Sequence, residues 1–161
     1  MAGKGQMMKA KSGFTLVEIL IVVVILGILA AIVIPQFTEA STEAKMSRLC
    51  TDLQTMRSQI ELYKVQHNDH LPGVSVTGTH ETDVTFQEAL TGYTNISGIE
   101  QSGPGANVYG PYVQQIPENP FNELTTIRID GADAGANTQG WRFDTTTGAF
   151  QADDSADHSA L

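Results

Sequence analysis

A single cysteine, Cys50, stands in this chain of 161 residues. One thiol closes no intrachain disulfide, so no loop is stapled that way. Inside a helical stretch Cys50 reads as a small core residue rather than a reactive thiol. Basic residues are scarce as well: nine Lys and Arg against 18 Asp and Glu give a formal charge of −9. Such an acidic surface argues against nucleic acid as a partner and keeps a soluble domain dispersed. Aromatic side chains make up 7% of the chain, with Trp141 the one tryptophan. Catalytic signatures are missing too. The chain has no Gly-x-Ser-x-Gly elbow and no ordered placement of Ser, His and Asp. Gly103-Pro104-Gly105-Ala106-Asn107 is no phosphate loop, because no lysine follows it and no strand leads in. Nothing in these residues points to catalysis.

What the chain does have is concentrated at its start. Gly13-Phe14-Thr15-Leu16-Val17-Glu18 opens an apolar run that continues to Phe37. Lys4, Lys9 and Lys11 precede it. The run is long enough to span a membrane as a helix. A carboxylate near the top of such a helix costs roughly 2.5–3.5 kcal/mol on insertion scales. Glu18 therefore needs a partner, and none lies within the run. A cut after Gly13 supplies one, because Phe14 then carries a free amine at nearly the depth of Glu18. That amine can meet the Glu18 carboxylate of a neighbouring copy. An ordinary signal peptide has its apolar core before the cut. Here the apolar segment follows Gly13 and is kept, although Ala30-Ala31 imitates a signal-peptidase site and leaves that alternative open. Loss of the leader removes three lysines and no acid, taking the charge from −9 to −12.

These residues resemble the class III signal of the type IV pilin and type II secretion pseudopilin superfamily. The resemblance implies a membrane peptidase that cleaves after Gly13 and N-methylates Phe14. It implies that Glu18 fixes register between subunits. It also implies that the helix loses helicity between Gly27 and Pro35 when packed in a filament. The alternative for Pro35 is a mild kink.

Beyond the apolar run, Met46, Leu49, Leu53, Met56, Ile60 and Tyr63 recur every three or four residues and make one stripe on a helix. The stripe reads as core that covers a sheet. Asn68-Asp69-His70-Leu71-Pro72-Gly73 ends the helix. Residues 74–82 are polar and rich in Thr. Thr82 or Asp83 caps a short helix over residues 85–91, with Phe86 and Leu90 on one face. Residues 91–110 read as loop. Residues 125–129, 141–144 and 149–152 read as strands, and residues 153–161 as a frayed acidic tail. The predicted fold is α+β: a long N-terminal helix packed on a small C-terminal antiparallel sheet, pilin-like. Its segments are a cleaved leader (1–13), a transmembrane segment (14–37), an amphipathic continuation (38–70) and a small periplasmic domain (71–161).

Gly110-Pro111-Tyr112, Ile116-Pro117, Asn119-Pro120-Phe121 and Trp141-Arg142-Phe143-Asp144 with Gly148 are similar to the C-terminal half of major pseudopilins, the general secretion pathway protein G type. That resemblance implies calcium near the C-terminus, although the family's Tyr-Gly-Ala-Asp-Gly loop is not recognisable here. Asp153 and Asp154 sit nearest the corresponding place, and a solvated acidic tail is the alternative. His67, Asp69 and His70 could hold zinc, but at a fraying helix end they read as capping groups that face water.

The function implied is a structural subunit of a type II secretion pseudopilus, a helical filament that grows from the inner membrane and drives protein export. The alternative is a type IV pilin of a surface pilus for adhesion, motility or DNA uptake. A membrane-tethered binding domain or enzyme is a third reading, in which Glu18 has no role. The partners implied are further copies of the chain, the prepilin peptidase, an inner-membrane assembly platform with minor pseudopilins or pilins, and membrane lipid. The positive-inside rule puts the leader in the cytoplasm and the C-terminal domain in the periplasm.

Overall fold

Leu, Ile, Val and Ala dominate the first turns of helix α1, which runs unbroken from Leu16 to Gln66, 51 residues. The structure is a computed structural model that describes residues 13–74 and 83–161. Lys4, Lys9 and Lys11 of the leader, Thr82, and nearly all of the Thr-rich stretch 74–82 lie outside the described residues. The chain divides into two compact units, Met1–Thr42 and Glu43–Leu161.

In the first unit α1 is apolar on every side, and its large side chains are exposed throughout. An 18-residue window has mean hydropathy 3.3, so the helix is long and apolar enough to cross a membrane. Pro35 lies inside the helix. Lacking an N–H, it leaves the Ala31 carbonyl without its usual helical donor.

In the second unit the predicted stripe is the buried face of α1. Leu49, Leu53, Met56, Ile60 and Tyr63 are all buried, and Met46 packs at the edge. Cys50 is partly exposed and falls outside this core. Asn68 and Asp69 adopt left-handed backbone angles after α1, and the Asp69 amide closes back on the Lys64 carbonyl at 2.9 Å. That is how a helix satisfies its last carbonyls when no glycine stands there. Helix α2 (Asp83–Thr91) contributes Phe86 and Leu90, both buried.

Six short strands make two sheets. Strands β1 (Tyr93–Asn95), β2 (Glu100–Gln101) and β3 (Val108–Tyr109) form an antiparallel sheet ordered β2-β1-β3. This sheet corrects the reading of residues 91–110 as loop. Its strands are two or three residues long, too short to show a period of two. Strands β4 (Ile127–Ile129), β5 (Trp141–Phe143) and β6 (Phe150–Ala152) form the second sheet, ordered β4-β5-β6. β5 and β6 are antiparallel, whereas β4 and β5 are parallel, with Ile127 opposite Trp141. Parallel neighbours need a crossover of about a dozen residues, and the Gly- and Ala-rich segment 130–140 provides it. The architecture is α+β, with this sheet mixed rather than purely antiparallel.

Trp141, Phe143, Phe150 and Ala152 of the second sheet join the α1 stripe in one core. The Trp141 indole N–H donates to the Pro117 carbonyl at 2.7 Å, which gives this buried ring its polar partner. His67 is also buried, against the expectation that it faces water. Its ring stacks on Tyr63 at 3.8 Å. Nδ1 lies 2.8 Å from the Tyr63 carbonyl oxygen, so Nδ1 carries the proton, and Nε2, at 2.9 Å, accepts from the Thr94 hydroxyl. Burial pushes the His67 pKa down, and the bond to Tyr63 opposes that only in part. The tail is folded as well: α3 (Ala156–Ser159) follows β6. Arg57 donates to the Leu161 carbonyl oxygen at 2.9 Å, which corrects the frayed-tail reading.

Candidate processing and assembly site

Thr15 sits just ahead of the first helical residue, where the leading amides of α1 have no carbonyl behind them. The Glu18 amide donates to Thr15 Oγ1 at 3.2 Å. In return Glu18 Oε2 accepts from the Thr15 amide at 2.8 Å and from the Thr15 hydroxyl at 2.7 Å. This is a capping box, in which two groups three residues apart satisfy each other's orphan donors. The carboxylate thought to lack a partner in the run therefore has one, three residues upstream. The Thr-x-x-Glu spacing carries that signal in the sequence, and the partner is a neutral hydroxyl and amide rather than a charge.

Gly13 and Phe14 precede the helix and belong to no helix or strand, and Phe14 is 81% exposed. A Cβ built on Gly13 meets nothing within 4 Å, so the space around this residue does not demand glycine. The same holds for Gly27, which lies mid-helix with open space beside it. Gly27 and Pro35 are both helical in the single chain.

The calcium candidates are placed apart from these residues. Asp153 is fully buried. Its Oδ1 accepts from the amides of Gly135 and Ala136 at 3.0 and 3.2 Å. Its Oδ2 accepts from the Thr138 hydroxyl and the Gln139 amide at 3.1 and 3.3 Å. Asp154 accepts from Asn119 Nδ2 at 2.8 Å and pairs with His158 Nδ1. Both carboxylates are thus turned toward hydrogen-bond donors. Calcium needs free oxygen lone pairs, and donors take up those of Asp153, so Asp153 does not fit it, and the solvated-tail reading of Asp153 falls too. Among the described residues no three His, Cys, Asp or Glu side chains gather as a metal-holding group. Asn119, buried and bonded to the Gly140 carbonyl, Asp154 and the Phe121 amide, is a structural hub that sequence reasoning quoted only as part of a motif.

Residues 8–34 match the family model of the prokaryotic N-terminal methylation motif. The chain is 42% identical over 137 residues to a type II secretion system core protein G of Pseudomonas aeruginosa, covering 80% of this chain and 91% of the relative. It is 28% identical over 147 residues to the protein of the same name from Vibrio cholerae, covering 81% of this chain and 89% of that one. A fimbrial protein of Pseudomonas aeruginosa is 33% identical over 82 residues, covering 51% of this chain and 53% of that protein. No solved structure matches the chain.

Proposed function

As a member of the type II secretion system core protein G family, to which it belongs by similarity along most of its length, this chain is a pseudopilin, and we propose a specific route by which it assembles. The prepilin peptidase cleaves after Gly13 and methylates the Phe14 amine. The apolar helix holds each subunit in the inner membrane, with the N-terminus cytoplasmic and the domain that follows in the periplasm. An assembly platform and minor pseudopilins then stack the subunits into a helical filament that drives protein export. Apolar side chains of residues 14–37, exposed in the single chain, pack between copies. Glu18 sets the register by pairing with the amine of a neighbour, a pairing that low dielectric strengthens. Gly27 and Pro35 let the helix open in the filament. The role is structural, and nothing in it calls on catalysis.

The observation that carries this reading is the extent of the similarity. It covers 80% of this chain and 91% of a core protein G, whereas the fimbrial similarity covers 51% of this chain and 53% of that relative. The fimbrial match favours a second reading, a type IV pilin on the cell surface. Deleting the gene and assaying export and surface piliation separates the two. Lost export with normal surface pili is expected, and lost surface pili with normal export overturns the first reading.

A further inference from the structure

The crossover from β4 to β5 contains no helix or strand, yet it must keep two parallel strands in register. Its backbone polar groups need partners, and Arg128, at the middle of β4, supplies them. A guanidinium offers five N–H donors in a planar fork. Here each donor meets an oxygen. Nη1 donates to the carbonyls of Asp130 at 3.1 Å and Ala132 at 2.5 Å. Nη2 donates to the Asp133 carbonyl at 3.0 Å and to Asp153 Oδ1 at 2.6 Å. Nε donates to Asp153 Oδ2 at 3.2 Å. The Arg128 side chain is 18% exposed and that of Asp153 fully buried, so little water competes for the ion pair, whereas the bonds to the Ala132 and Asp133 carbonyls lie at the surface.

Three backbone carbonyls and both oxygens of one carboxylate around a single positive centre make the kind of oxygen set that calcium takes. In this chain the centre is a guanidinium. The remaining donors to Asp153 are the amides of Gly135, Ala136 and Gln139 and the Thr138 hydroxyl, whose hydrogens would repel a metal. Burial by itself would raise the Asp153 pKa, but Arg128 and these donors outweigh it and hold the carboxyl below its ordinary value. The loop they order lies against the tail. A Cβ on Gly135, whose φ is +93°, would come within 2.6 Å of the Ala156 backbone.

We propose that Arg128 is the resident cation of the C-terminal loop and takes the place of the calcium that the family resemblance implies. A cation attached to the chain does not exchange. The order of residues 130–140, and of the α3 start against them, is then independent of calcium outside the inner membrane. The inference stands whichever filament the chain builds.

The test uses the full-length, processed protein in detergent micelles. Melting is followed in millimolar calcium and again in EGTA. The same melting temperature in both is expected, and a higher one in calcium overturns the proposal. A second arm compares amide hydrogen exchange in Arg128→Gln and Arg128→Lys. Glutamine lacks the charge, and lysine keeps it on one point without the fork. Protection should be lost at Gly135, Ala136 and Gln139 in both variants while the Trp141 amide of β5 stays protected. Retained protection at those three amides in Arg128→Gln overturns the proposal. The calcium arm needs no variant, so it decides the question even where a substitution unfolds the domain.

Discussion

Glu18 and Thr15 hold each other at the head of α1, with Glu18 Oε2 accepting both the amide and the hydroxyl of Thr15 at 2.8 and 2.7 Å. Both bonds fall on one carboxylate oxygen, and Oε1 is the one to which the proposed pairing would bring the amine of a neighbouring copy. The residue thus has two separable roles: it caps its own helix, and it presents a charge. Within one chain the box offsets part of the cost of carrying a carboxylate into lipid.

Two substitutions separate those roles. Glu18→Gln keeps an acceptor that serves in a capping box and removes the charge. Glu18→Ala removes both. If charge pairing sets the register, both variants are processed and membrane-inserted but form no filaments and support no export. Immunoblotting reports abundance and processing, and sheared fractions report filaments. Normal filaments from Glu18→Gln would show that the cap, not the charge, is what assembly uses.

Processing gives the second prediction. The mature chain should begin at Phe14 with a methylated amine, and Gly13→Ala should slow or block the cut. A Cβ at Gly13 meets nothing in this chain, so the effect must come from the peptidase and not from misfolding. Intact-mass measurement of membrane-extracted protein checks it. A mass that retains Lys11, or one that begins beyond Ala31, would refute the cleavage site.

The third prediction concerns the core. Leu53 is buried and Val65 is 77% exposed on the same helix. Leu53→Ala should cost about 2–5 kcal/mol, while Val65→Ala should stay within about 0.5 kcal/mol. Denaturation of the detergent-solubilised protein measures both. Equal stability of the two variants would contradict the packing of the stripe.

How much of this was legible varied with the physical signal. The α1 stripe was read residue by residue, because a helix face repeats over many turns and one error does not hide it. Phe86 and Leu90 were legible as one helix face, and both are buried. Strands β1, β2 and β3 were missed, since two or three residues carry no period. The parallel β4–β5 pairing was missed because it depends on a crossover held by Arg128, a side chain whose partners are mostly carbonyls. A sequence does not display which carbonyls converge. The burial of His67 was missed for a related reason: its partners are a backbone oxygen and Thr94, 27 residues away. At the N-terminus the apolar run and its flanks were plain, while the Thr15–Glu18 box was in view and unread.

The last prediction follows from His67. Its imidazole is buried and neutral, with Nδ1 donating and Nε2 accepting. Protonation would put a hydrogen on Nε2, facing the Thr94 oxygen, and would place a charge among Tyr63, Tyr109 and Tyr112. Burial is the largest reason its folded pKa lies below 6.5, and the neighbouring His70 lowers it further. The sign follows from the unfolded chain binding the proton more readily than the folded one. The contribution of His67 is therefore fully present above pH 6.5 and is lost as pH falls from there toward the folded pKa. The loss approaches about 1.4 kcal/mol per pH unit for one proton. Carboxylates held below their ordinary pKa, Asp153 among them, add their own loss at more acidic pH. Measured between pH 7 and about pH 5, unfolding free energy should slope downward in the native protein. The slope should be shallower in His67→Gln, which is less stable overall but has no imidazole there to titrate. Parallel pH profiles for the two proteins would mean that His67 does not couple folding to protons.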